Sequence, residues 1–337
     1  MKNFVRPLIA TLAFLLFLVD SRHTILEAAD AMTLCIQTVI PSLFVFIFLS
    51  LVLTGQLSGR RLPFLKWLGN LCHMAPGTES ILLLGLLGGY PVGAQCIAQY
   101  HENGAVSRSE AQRLMAFCSN AGPSFILGAG SVLFTNRSLP WALWGIHIAS
   151  AIAVGMLLPG RQSYIMKSTK DTAFSLPKAL EKAVKIMAAI CGWVIIFRVI
   201  IDFFQRWLLW LLPAEVQLCI TGALELVNGF HEMGEIPGEG ARFILASAFL
   251  GFGGLCVLMQ TKAVAGSLGL GLYLPGKCLQ TLLSILLASA VQGIGLPQEQ
   301  RYIPHPVMMI TVSIMAAGLI LCLKKQKNGS ILRASVV

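Results

Sequence analysis

The sequence predicts an all-α polytopic membrane protein: two inverted repeats with re-entrant hairpins and broken helices, plus flanking transmembrane helices. Three observations lead there. The 337-residue chain is 56% hydrophobic and only 12% charged, about half the roughly 25% charged residues usual in soluble domains. Its Lys and Arg residues gather in a few regions beside apolar segments, as the positive-inside bias produces. Each half also holds apolar stretches interrupted by glycine, proline or asparagine, and hydrocarbon tolerates such backbone only where protein or a water-filled cavity satisfies it.

Residues 4–19, 32–54, 139–158, 183–201, 241–260, 280–294 and 304–323 approach the ~20 apolar residues that cross ~30 Å of hydrocarbon. The first follows Lys2 and Arg6, so a cleaved signal is a rival reading; a retained helix is expected, because the polar spacer before "EAADA" is long for a cleavage region. The net charge of +10 is explained by loops and tails and calls for no nucleic acid. Nine cysteines lie scattered without CxxC or CxH spacing and read as small core residues. The six histidines are equally dispersed, so no metal site is expected.

Charge sets the threading. Lys2 and Arg6; Arg60, Arg61 and Lys66; Arg161, Lys167, Lys170 and Lys178; and Lys324, Lys325, Lys327 and Arg333 belong in the cytoplasm, with both termini there. Asp20, Glu27 and Asp30, and later Glu232, Glu235 and Glu239, face outward. Residues 61–137 must then make one net crossing, yet they hold two apolar stretches, 80–98 and 114–134. One stretch goes in and comes back.

The obvious hairpin tip is "GGYPVGAQ", with Gly89, Tyr90, Pro91, Gly93 and Gln95: proline donates no backbone hydrogen bond and glycines accept turn dihedrals. A packing device of small residues is the alternative. A helix then starts at the S-x-x-E box of Ser107 and Glu110 and breaks at "FCSNAGPSF", with Ser119, Asn120, Pro123 and Ser124. Ser124 is expected to cap a new half-helix whose free N–H groups suit an anion; a proline kink patched by serine is the alternative.

The second half repeats this grammar. "LCITGALELVNGF" carries a break at Asn228 and Gly229 and an embedded carboxylate, Glu225. An intramembrane carboxylate is a functional candidate by default: it could bind a cation, carry a proton, pair with Arg113, or lie at the hairpin edge. "GFGG", with Gly253 and Gly254, mirrors the first helix break, and Gln260 follows on that helix. Lys262 and Lys277 fall at the inner interface, where snorkelling explains them, and Arg198 with Asp202 reads as a surface pair. The divisions are 1–30, an N-terminal helix and loop; 31–160, the first repeat; 161–178, a basic loop; 179–296, the second repeat; and 297–337, a C-terminal helix and basic tail.

Because the threading starts the two units on opposite sides, the repeat is inverted, the best sequence pointer to a secondary transporter with its solute near the midplane. GxSxG, HExxH and GxxxxGK[ST] are absent, so an enzyme is not expected. "GGYPVGAQ", "GAVSRSEAQRLMAFCSNAGPSFILG", "LELVNG" and "GFGGLCVLMQ" together resemble the YlbJ family of sporulation integral membrane proteins, in the broader group of nucleoside-recognition (Gate) domain proteins. The resemblance covers roughly residues 30–300 in the same order and implies a bacterial inner-membrane protein that moves a small anionic metabolite such as dipicolinate. The expectation is an alternating-access carrier of a small polar solute, uncoupled or coupled to H+ or Na+, without a cofactor. A non-transporting assembly or signalling factor of the same fold is the alternative; the oligomeric state is left open.

Overall fold

The structure, a computed structural model, describes residues 2–57, 62–160 and 175–295. Residues 161–174 of the expected basic loop at 161–178, Arg60 and Arg61, and the expected helix at 304–323 with its basic tail lie outside the described residues, while Lys178 falls in the first turn of a helix that starts at Leu176. Among those described, every regular element is helical. The chain opens with α1 (Lys2–Val19) and α2 (Ser21–Leu34), which passes through one π-helical turn (Cys35–Val39) into α3 (Ile40–Leu57). The expected span at 32–54 is therefore the second part of one helical run. A short α4 (Lys66–Leu71) leads to a hairpin of α5 (Glu79–Leu87) and α6 (Val92–Glu102), a broken pair α7 (Arg108–Cys118) and α8 (Pro123–Leu133), and the span α9 (Leu139–Leu157).

The same order recurs after the loop. A long α10 (Leu176–Trp207) precedes a hairpin of α11 (Ala214–Leu224) and α12 (Leu226–Met233), a broken pair α13 (Glu239–Phe252) and α14 (Gly254–Ala265), and the span α15 (Tyr273–Gly295). Five helical segments, Ser21–Gln56, Leu139–Leu157, Leu176–Trp207, Glu239–Leu268 and Tyr273–Gln292, are long and apolar enough to cross a membrane. The chain is an all-α polytopic membrane protein. Its outer face carries large exposed side chains such as Phe14, Val45 and Ile196, and Trp207 and Trp210 stand exposed just past the apolar run of α10, where aromatic residues favour the headgroup level.

Local chemistry explains the joints, with corrections. Ser107 Oγ accepts the Glu110 N–H at 3.2 Å, so the expected cap forms. The Glu110 carboxylate, however, takes Arg113 Nε at 2.9 Å and Nη2 at 2.8 Å. At the first break the cap of α8 is Gly122, not Ser124: Pro123 occupies the first helical position, and no side-chain bond closes the end. Proline suits that place because its missing N–H would be unpaired anyway. In the second hairpin the break is at Glu225, not at Asn228 and Gly229, which lie inside α12. Glu225 is extended (φ −146, ψ 124) and its side chain accepts the Asn228 N–H, so helix restarts after a single residue.

Close approach explains several glycines. A Cβ on Gly85 would sit 1.7 Å from the Cys118 carbonyl oxygen, and one on Gly93 2.2 Å from the same atom; the end of α7 is pressed between both arms of the first hairpin. In the second hairpin a Cβ on Gly229 would lie 2.5 Å from Gly222 Cα. Arg198 does not pair with Asp202. It meets Glu27 at 2.8 Å and Glu232 at 3.7 Å, while Arg206 holds both Asp202 and Asp20. These pairs tie α10 to the start and middle of α2 and to the end of α12.

Candidate functional site

The two hairpin tips and the two helix breaks meet. A Cβ on Gly89 (φ +75) would lie 3.1 Å from Gly122 N, so the first tip touches the first break. The Tyr90 hydroxyl reaches the Leu250 carbonyl at 3.5 Å, and a Cβ on Gly253 (φ +82) would lie 3.1 Å from that hydroxyl, which joins the first tip to the second break. A Cβ on Gly254 (φ +86) would lie 3.3 Å from the Leu224 oxygen and 3.4 Å from Leu226 N, which joins the second tip to the second break.

Between them lies a cavity of about 40 Å³. Its walls are Tyr90 from the first tip; Ala121, Gly122 and Phe125 from the first break; Glu225, Leu226 and Val227 from the second tip; and Val257 and Gln260 from α14. Val39 and Leu43, at and just after the π-helical turn, and Ile190 and Val194 of α10 complete it. The tip and break residues in this lining lie at the starts of α8 and α12 or, for Tyr90, just ahead of α6, while α14 adds Val257 and Gln260 from further along the helix; none comes from the helices that end at the tips and breaks. Half-helix N-termini carry free N–H groups and the positive end of the dipole. The caps of α6, α8 and α14 are Pro91, Gly122 and Gly253, none with a side-chain hydrogen bond. Only α12 is capped by a side chain, that of Glu225.

Glu225 is 1% exposed. Its Oε2 accepts the Asn228 backbone N–H at 2.6 Å and Asn228 Nδ2 at 2.9 Å, and no basic side chain pairs with it among the described residues. Arg113, the partner the sequence offers, is committed elsewhere: beside Glu110 it donates to the carbonyls of Cys72, His73 and Leu158. Nor does Glu225 lie at a hairpin edge.

A second polar group, behind the first break, was not anticipated. Lys277 of α15 is 0% exposed rather than interfacial. Its Nζ donates to Asn120 Oδ1 at 3.1 Å and Gln280 Oε1 at 2.8 Å and stands 5.2 Å from the centre of the Tyr90 ring. Gln280 Nε2 donates to the same Asn120 oxygen at 3.0 Å, and His147 Nε2 accepts the Ala121 N–H at 3.1 Å. No carboxylate pairs with Lys277 among the described residues. Both His147 and Lys277 carry the signal that singled out Glu225, an ionisable group inside an apolar run. Lys277 escaped it because the helix was expected to begin at 280 and begins at Tyr273.

The remaining expected residues divide. Tyr90, Glu225 and Gln260 line the cavity; Asn120 orders the Lys277 group; Gly89, Pro91, Gly253 and Gly254 shape the tip and break; Gly93 and Gly229 are close-packing positions. Pro123 and Ser124 open α8, half-buried. Gln95 Oε1, Ser119 Oγ and Asn228 Oδ1 are buried without a hydrogen-bond partner among the described residues. Asn228 also walls a second pocket, of about 230 Å³, with Asp30, Thr33, Gln37, Arg198 and His231.

No family model matches the chain, and no solved structure matches it. The chain is similar to the sporulation integral membrane protein YlbJ of Bacillus subtilis (strain 168), 26% identical over 277 aligned residues that cover 68% of this chain and 67% of the relative. The wider nucleoside-recognition (Gate) grouping rests on motif resemblance alone. That similarity and several membrane-length helices support the resemblance to the YlbJ sporulation integral membrane proteins, with this chain a multi-pass membrane protein of the same kind.

Proposed function

We propose that this chain carries a small anionic metabolite, dipicolinate-like in a sporulation setting, across the cell membrane by alternating access of two inverted repeats. One observation carries the reading: the cavity is lined by the N-terminal ends of α8 and α12, with Tyr90 just ahead of α6, and by none of the helices that end at the tips and breaks. Such ends are aimed at anionic solute groups in carriers built from discontinuous helices. Lys277, 5.2 Å from the centre of the Tyr90 ring and without a carboxylate partner among the described residues, places a basic group behind that wall of the cavity. The recurring order of span, hairpin, broken pair and span supports two units that rock against each other. A space of about 40 Å³ admits at most a few waters, so the solute must be taken up in a more open conformation.

That small volume also favours a second reading, a non-transporting membrane assembly factor that keeps a carrier's fold. Uptake of labelled dipicolinate into proteoliposomes with the purified protein separates them. The carrier reading expects saturable flux; folded protein that moves neither dipicolinate, other dicarboxylates nor nucleosides ends it.

A further inference from the structure

Glu225 stands in the way of the solute just proposed. It is the one carboxylate in the cavity lining, and it already occupies the anion position at the start of α12, with its Oε2 held by two donors of Asn228. A solute carboxylate drawn to the neighbouring N-termini would come into close range of it. Two carboxylates sharing a site of low dielectric do not both stay ionised. No basic side chain lines the cavity to offset the second charge, and the nearest ammonium found, that of Lys277, lies behind the Tyr90 ring and is committed to Asn120 and Gln280.

The other titratable groups facing Glu225 do not supply a charge of the needed sign. Cys35 from the π-helical turn and Cys256 from α14 lie within its electrostatic reach as thiols, and Tyr90 presents a phenol. On the far side of Asn228, in the second pocket, stand Asp30, His231 and Arg198, and Arg198 is balanced by Glu27 and Glu232. Asn228 is thus the shared wall: its backbone and amide nitrogens hold Glu225, it borders a pocket of about 230 Å³, and its Oδ1 is buried without a partner among the described residues.

We infer that Glu225 is a coupling-proton site: a solute carboxylate binds in the cavity together with a proton on Glu225, which arrives from the second pocket past Asn228. The balance is simple. One proton leaves water, the Glu225 carboxylate becomes a carboxylic acid, and the solute's negative charge takes its place among the helix N-termini. This rests on the anionic-carrier reading and names its coupling ion.

The test is calorimetric titration of the purified full-length protein with dipicolinate in buffers of different ionisation enthalpy. Wild type is expected to take up about one proton per solute bound wherever Glu225 is ionised in the free protein, with affinity falling about tenfold per pH unit as pH rises there. Glu225→Gln is expected to bind with no proton uptake and with flat pH dependence. Binding by wild type with no proton uptake and no fall in affinity up to the highest pH at which the protein stays folded overturns the inference and leaves the carrier reading standing, and a wild-type pH slope in Glu225→Gln does the same. No dipicolinate binding by folded protein overturns the anionic-carrier reading and this inference with it. Should Glu225→Gln fail to fold, the wild-type proton count still decides. For the route, Gln37→Trp, which fills the second pocket, should slow dipicolinate-driven proton entry into dye-loaded vesicles; an unchanged rate removes that pocket from the path.

Discussion

Two buried ionisable residues, Glu225 and Lys277, are each held by neutral partners, and they differ in how openly the sequence declares them. Glu225 stands inside "GALELVNGF" with no other charge nearby, so it is visible at once. Lys277 follows "YLPG", which reads as a loop; in the structure Pro275 and Gly276 sit in the first turns of α15, where proline costs little because the first N–H groups have no partner within the helix. The consequence is testable. In Lys277→Met, Asn120 Oδ1 keeps the Gln280 Nε2 donor but Gln280 Oε1 loses the one that Lys277 gave it, so stability should fall by no more than about 1–3 kcal/mol, the cost of an unsatisfied buried acceptor, offset by relief from burying the basic group. Dipicolinate uptake should fall, because the basic group behind the Tyr90 wall is gone. Unfolding temperature in detergent and proteoliposome flux, measured on the same preparation, check both halves. A variant that transports normally reduces Lys277 to a structural role.

Among the elements, hairpins and broken helices differ in how rigidly their joints are built. Gly85→Ala and Gly93→Ala each push a Cβ onto the Cys118 carbonyl oxygen, at 1.7 and 2.2 Å, and backbone cannot swing aside as a side chain can. Each should destabilise by at least the roughly 1–3 kcal/mol typical of overpacking, seen as loss of monodisperse protein or a lower unfolding temperature. Gly128→Ala, in α8 with nothing within 4 Å, should be neutral or stabilise by up to about 1 kcal/mol through helix propensity. Ser107→Ala should cost about 1 kcal/mol by removing the α7 cap. The same elements show where sequence reading succeeds. The first tip was legible because Pro91 and a glycine that takes a positive φ, Gly89, break the helix there, while Gly93 serves close packing against the end of α7. The second was misplaced by three residues because its break carries no glycine or proline at all: one extended residue, Glu225, stops α11 and caps α12 with its own side chain, and nothing in the alphabet of helix breakers marks that. The "SNAGPS" break was located correctly but its cap was not, since glycine can take the cap position with no side-chain oxygen once proline fixes the next residue.

At the scale of the whole molecule, the recurring order of elements raises the question of whether the two units are inverted, and helix lengths bear on it. The 32 residues of α10 extend ~48 Å at 1.5 Å per residue, ample for one crossing of ~30 Å of hydrocarbon. The 11 residues of α11 and 8 of α12 are each too short to cross, so their hairpin returns to the side from which it entered. A single crossing by α10 is therefore expected to put residue 235 on the side opposite the basic loop that precedes the helix. In the first unit α3 plays the part of α10, and the basic residues that follow it, Arg60 and Arg61, carry the same cytoplasmic signal as Lys167, although Lys167 lies before its span and they lie after theirs. On the proposed inversion the hairpins would enter from opposite faces, and Tyr90 of the first tip and Glu225 of the second would face one shared cavity from the two sides. Single cysteines at Lys167 and Glu235, introduced with the native thiols replaced or blocked, should be labelled by a membrane-impermeant maleimide from opposite sides of intact cells, Glu235→Cys from outside and Lys167→Cys only after lysis. Labelling of both from one side would mean that α10 does not cross, that the two hairpins enter from the same face, and that alternating access by inverted units does not operate in this protein.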